Sequence, residues 1–135
     1  MTTLSVLAAA IQSALPTPYR HFDGQVPSGT TLPWITTRVT IPGVSERSLA
    51  ATSLTLNGRL IVTVAAGTQN GVRILAEAAV QSWEYARIAP EGWAPFRLLL
   101  EGASEPYEDT DTVLANGQRP VVARMTFSFT TSRTI

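Results

Sequence analysis

From Arg59 to Trp83 the chain changes its hydrophobic period. Leu60, Val62 and Val64 alternate with Ile61 and Thr63, the pattern of a strand with one buried face. After Gly67-Thr68-Gln69-Asn70-Gly71, residues Val72, Leu75, Ala76, Ala79, Val80 and Trp83 recur at three- and four-residue steps. That spacing predicts an amphipathic helix starting near Asn70, a competent N-cap, and fading around Tyr85 to Ile88 before Pro90. A strand leading straight into such a helix predicts a sheet with the helix on one face.

The remaining segments join or cover that sheet. Leu4, Leu7, Ala8, Ile11 and Leu15 form one helical stripe, with Thr3 as a plausible cap and Pro16 and Pro18 as stops. This short, Ala-rich helix is expected to dock on something flat, either its own sheet or a neighbouring subunit. Tyr19 to Phe22 reads as a short strand, followed by the turn-rich stretch Asp23 to Gly29. Trp34 to Ile41 alternates, with Ile35, Thr37, Val39 and Ile41 on one face and Trp34, Thr36, Arg38 and Thr40 on the other; Pro42-Gly43 is expected to end it. Ser45 to Ala51 reads as a loop.

Leu54 and Leu56 continue the even series of Leu60 across Asn57-Gly58, a dipeptide that signals a hairpin. A two-residue turn would set the even leucines opposite the odd series, so a bulged hairpin pairing Leu54 with Leu60 is favoured over one long strand. Gly92 to Pro95 reads as a turn. Phe96, Leu98 and Leu100 oppose Arg97, Leu99 and Glu101 in a further strand, Gly102 to Gln118 reads as irregular, and Val121 to Thr130 alternates cleanly. The expected apolar sheet face is Val39, Leu60, Val62, Val64, Leu98, Phe127 and Phe129, covered by a helix over 71–85. The class predicted is α+β: a single mixed or antiparallel sheet with two helices, the longer packed on one face, in a single domain spanning residues 1–135.

Composition narrows the function. With 44% hydrophobic and 15% charged residues, the 135-residue chain suits a folded domain. Ten basic and ten acidic residues cancel, so no global field draws in nucleic acid or an anionic membrane; a protein that DNA merely passes is still compatible. Cysteine is absent, which removes disulfides and thiolate metal sites. No apolar run approaches the roughly 18–20 residues of a membrane span. No basic leader precedes the apolar start, so a signal peptide is not expected and cytosolic synthesis is the default. All ten basic residues are arginine, which fits both GC-rich codon usage and the demands of subunit interfaces.

Candidate chemistry is sparse. The single histidine, His21, has no cysteine to pair with and no serine-triad motif around it. Asp109-Thr110-Asp111 opens like a calcium loop but meets Val113, Leu114 and Pro120 where a ligand, a glycine and a glutamate are needed. Gly67 to Gly71 lies where phosphate loops occur but lacks their Gly-Lys-Ser/Thr or Gly-x-Gly-x-x-Gly spacing. Arg38, Arg59, Arg97 and Arg124 each fall on a polar strand face that could touch phosphate, without the interleaved aromatics of RNA-binding sheets. The expectation is a protein without catalytic residues, cofactor or metal.

Three local features carry a resemblance. They are Val26-Pro27-Ser28-Gly29 with Leu32-Pro33-Trp34-Ile35; the run R-L-I-V-T-V-A-A-G-T (59–68) leading into L-A-E-A-A-V-Q-S-W (75–83); and an acidic loop before V-V-A-R-M-T-F-S-F (121–129). In these features and in element order along nearly the whole chain, the sequence resembles the tail terminator (tail completion) proteins of long-tailed bacteriophages. The resemblance implies a small α+β subunit of a ring, typically a hexamer, at the head–tail junction of the virion. It would cap the last tail-tube ring and present a surface to the head connector or neck protein, with DNA only passing through the lumen and no membrane contact. Other neck, head-completion or tail-tube subunits, and a stand-alone ligand-binding or enzymatic domain, are the alternatives. An extended arm, common in such rings, could come only from residues 42–51 or the hairpin around Asn57. Glu105, Glu108, Asp109 and Asp111, with Arg38, Arg59, Arg97 and Arg124, are the candidate channel or interface residues.

Overall fold

The computed structural model of the chain describes residues 3–13, 21–24, 26–27, 30–47, 54–109, 117 and 119–133. Among them, in order, are α1 (Thr3–Gln12), β1 (His21–Asp23), β2 (Trp34–Arg47), β3 (Leu54–Ala66), α2 (Gln69–Trp83), β4 (Arg87–Ile88), β5 (Phe96–Arg97), β6 (Leu99–Ala103), β7 (Tyr107–Glu108) and β8 (Val121–Ser132). The main sheet runs β1-β2-β3-β8-β6, and β7 continues the β6 edge by pairing with the start of β8. β1 lies parallel to β2 and every other pair is antiparallel, so the sheet is mixed and the fold is α+β, as the patterning predicts.

The alternation in β3 and β8 decides which face is covered. Leu60, Val62, Val64, Met125, Phe127 and Phe129 are buried on the helix side. Val72, Leu75, Ala79 and Trp83 of α2 pack down on β3 and β8, while Leu7 and Ile11 of α1 pack against β2. Each buried Val, Leu, Ile, Met or Phe among them contributes about 1.5–3 kcal/mol through its burial. Trp83 meets Phe127 edge-on, with centroids 6.0 Å apart. Val39 lies at the margin of this core, partly buried. The side-chain amide of Gln12 donates to the hydroxyl of buried Thr37, tying α1 to β2; α1 therefore docks on its own sheet. Leu15, Pro16, Pro18 and Tyr19 lie outside the described residues.

The helix cap is Thr68 rather than Asn70. Its extended backbone and its hydroxyl, which accepts from the Gly71 N–H at 3.0 Å, start α2 two residues earlier than a cap at Asn70 would. The helix stops at Trp83, where Tyr85 takes a left-handed φ of 61° and its N–H turns to the Leu98 carbonyl. The segment after Pro90 clamps the end of β8: the Ala94 N–H donates to the Ser132 carbonyl and the Thr131 hydroxyl to the Ala94 carbonyl, both at 2.7 Å.

Four strand boundaries differ from the sequence reading. Pro42-Gly43 does not end β2; the register slips between Thr40 and Gly43, and again between Val44 and Glu46, so Ser45 to Arg47 are strand. β1 reaches only Thr37, so among the described residues β2 is an edge strand beyond it, where a residue with no N–H to donate is tolerated at a bulge. Asn57-Gly58 is no turn, and β3 is one long strand paired on both sides from Leu54 to Ala66. Gly58 lies directly opposite Phe129, and a Cβ there would stand within 3.0 Å of three atoms of that ring, so the glycine makes room for the aromatic. Residues 42–47 are therefore ladder and not an arm, while 48–51 fall outside the described residues. Finally, the 96–101 strand divides into β5 and β6, and the acidic stretch read as irregular contributes Gly102 and Ala103 to β6 and forms β7.

Candidate functional site

The sheet face opposite the helices is only partly covered. At one end, Trp34, Ala65 and Val122 sit side by side on β2, β3 and β8 and form a second small core, against which Phe22, Val26 and Leu32 pack. Beyond it the face is open and polar. Cross-strand register places Thr36, Thr63 and Arg124 in one row, Arg38, Ile61 and Thr126 in the next, and Thr40, Arg59, Ser128 and Leu99 in the third. Three of the four predicted arginines thus share one surface because their strand positions have the same parity.

Those three differ in their partners. Arg59 reaches Glu101 at 3.4 Å, with both side chains about half exposed, an ion pair contributing roughly 0–1 kcal/mol. Arg38 and Arg124 have no carboxylate within ion-pair distance among the described residues. Asp23 is the acid nearest to Arg38 in the ladder, but it pairs in register with Thr37 and so belongs to the helix side. Gly24, Thr36, Thr37, Arg38, Ile61, Thr63 and Arg124 line a recess of about 100 Å³. Two guanidinium groups and threonine hydroxyls around such a recess offer donors suited to an oxyanion. Arg97 is not part of it: on β5 it donates to the Tyr85 carbonyl at 2.5 Å and braces the end of α2.

Of the predicted acidic residues, Glu105, Glu108 and Asp109 lie on the β6–β7 edge of the sheet. Glu105 and Glu108 are exposed, and Glu108 reaches Arg119 only at 4.0 Å. The Asp109 N–H donates to the Pro120 carbonyl, which holds this segment against the start of β8. Asp111 lies outside the described residues. The edge also exposes two large apolar side chains, Leu99 and Tyr107, at 47% and 48%. Register sets both on the open face, opposite Ser128 and Val122. The reading by residue type passed over this pair, although the odd phase of Leu99 beside Arg97 was its signal.

A larger groove of about 780 Å³ runs between Val6, Ala9, Ala10 and Ser13 of α1 and the segment Arg87 to Glu91. Arg87 and Glu91 are the charged groups lining it. Among the described residues no three His, Cys, Asp or Glu side chains gather where a metal ion could sit, and no helix is long and apolar enough to cross a membrane. No protein-family model matches the chain, and no curated protein matches it.

Proposed function

We propose that the chain is a structural ring subunit of a long-tailed bacteriophage virion, a tail terminator that caps the tail tube and forms the head–tail joining surface. The observation that carries this is the unequal treatment of the sheet: two helices seal one face, while the other stays open with two arginines that have no ion-pair partner among the described residues, beside a sheet edge that carries acid and exposed Leu99 and Tyr107. A small chain with zero net charge, exposed arginines and glutamates and exposed aromatic and aliphatic groups beside them suits repeated self-association. The element order supports the same reading through the resemblance to terminators. Copies form a ring, a hexamer by that resemblance, between the tail-tube protein and the neck protein, with DNA passing through the lumen. Assembly takes place in the host bacterial cytoplasm.

Electron microscopy of virions made without the protein tests this directly. Tails of uncontrolled length, or tails not joined to heads, are expected; normal tails of uniform length on filled heads would rule the reading out. Purified protein that stacks into long tubes would assign the tail-tube subunit instead.

A further inference from the structure

Arg38 and the acidic edge lie on opposite sides of the open face. Three strand steps separate β2 from β6, roughly 14 Å at the usual inter-strand spacing. Arg38 is thus exposed, without an acidic partner among the described residues, while Glu105 is an exposed carboxylate with no ion pair there. Arg124 adds a second guanidinium to the recess, reaching it from the strand beside the edge, its backbone bonded to Ser104. Arg38 and Glu105 each lack what the other offers, and three strand steps keep those two from meeting within one copy.

The geometry points to a head-to-tail contact in which the β6–β7 edge of one copy, bearing Glu105 and Glu108, docks on the Arg38–Arg124 recess of a second copy. The inference rests on the reading of the chain as a self-assembling subunit and specifies which surfaces meet. Charge complementarity selects the partner and fixes the register. Leu99 and Tyr107 supply the apolar contact that a purely ionic edge would lack, since tyrosine is favoured at interface cores and exposed ion pairs contribute little. The contact joins two different patches, so it propagates from copy to copy and closes when the rotation allows, which is the requirement of a ring. An edge engaged with a neighbour's arginines is not a free collar around the lumen, so this assignment takes Glu105 and Glu108 out of the channel.

Sedimentation velocity on the full chain tests the contact with two double variants, Arg38→Glu/Arg124→Glu and Glu105→Arg/Glu108→Arg. All four positions are exposed, so both variants should keep the parent's circular dichroism and melting temperature. The parent is expected to self-associate, and each variant alone to do so about tenfold or more weakly. An equimolar mixture should recover assembly, because the reversed face of one variant then meets the reversed edge of the other. If both variants assemble like the parent, the surfaces are wrong and self-assembly stands on other contacts. A parent that stays monomeric overturns the contact, while the virion experiment still decides the terminator reading. Folded, dissociated variants whose mixture stays apart also overturn it. Loss of binding to a short DNA duplex by Arg38→Glu/Arg124→Glu, with assembly unchanged, would assign the face to nucleic acid.

Discussion

Replacing Gly58 with alanine should destabilise the protein, and the reason can be separated from ordinary glycine effects. The backbone at Gly58 is outside the left-handed region, so alanine fits its conformation. On that ground alone the substitution would stabilise by about 0.4–1 kcal/mol, by restricting the unfolded chain. Against this, the new Cβ would stand within 3.0 Å of three ring atoms of Phe129. That ring cannot simply move aside, because it is buried and stacked on Phe96 with centroids 4.5 Å apart and planes 18° from parallel. Overpacking of this kind costs about 1–3 kcal/mol, and disturbing the stacked pair adds up to about 0.5–1.5 kcal/mol. The balance is a net loss of about 1–3 kcal/mol, or roughly 3–10 °C in Tm at about 3 °C per kcal/mol for this chain length. Phe129→Leu removes the obstacle at its own cost. In that background Gly58→Ala should be neutral or raise Tm, a coupling of about 1–3 kcal/mol by double-mutant cycle. Thermal unfolding of the four proteins measures it. Equal effects of Gly58→Ala in both backgrounds, or a higher Tm in the presence of Phe129, would refute the argument.

Phe127→Ala, at a fully buried site against Trp83, should cost about 3–5 kcal/mol and about 10–15 °C in Tm. Thr126→Ala, on the open face, should cost under about 1 kcal/mol, and equal losses would mean that the strand phase is wrong. Thr68→Ala should lower Tm by about 3 °C through loss of a helix cap of about 1 kcal/mol, while Thr68→Ser keeps most of it; no change in either sinks the capping argument. Thr37→Val removes the acceptor of the Gln12 amide and should cost about 1–3 kcal/mol, part of which Gln12→Leu in the same chain should return; no recovery would show that the pair does not anchor α1. Glu105→Gln with Glu108→Gln should leave Tm within about 2 °C and weaken assembly at low salt, with the difference fading above 0.1 M, where the Debye length is about 10 Å. Unchanged assembly at low salt would reduce the segment to a solvated edge.

How much of this was readable from the sequence depends on whether one residue or a pair carries the information. The stripe of α2 and the alternation of β8 were legible because each is periodic within one segment, with burial on one side only. The interruptions were not. Asn57-Gly58 has the local chemistry of a turn, yet the glycine answers to Phe129, more than 70 positions later, which no local pattern encodes. Pro42 reads as a strand end because its missing N–H is a local fact, whereas its tolerance depends on β1 stopping at Thr37. The candidate site divides in the same way. Strand parity alone placed Arg38, Arg59 and Arg124 on one face, but Arg97 shares their parity pattern and still departs, because β5 leaves the main sheet to pair with β4. The pairing of Arg59 with Glu101 reaches across β8 and required the sheet order.

The acidic edge has a plainer explanation that must be weighed against docking. A sheet edge offers unpaired backbone groups, and charged side chains along it block unwanted strand addition. Edge protection, however, is indifferent to sign: arginine at positions 105 and 108 would repel a second identical edge as well as glutamate does. It also gives no account of Leu99 and Tyr107, since exposed apolar groups invite the association that the charges would be there to prevent. Nor does it explain why, among the described residues, Arg38 and Arg124 on the open face and Glu105 at the edge have no ion-pair partner. Pairing between copies accounts for all three, because it needs opposite signs on separate surfaces with apolar contact beside them. Sign reversal at the edge is therefore the discriminating change. It preserves protection and destroys pairing, so a Glu105→Arg/Glu108→Arg protein that stays folded, soluble and monomeric is the outcome only the docking contact predicts.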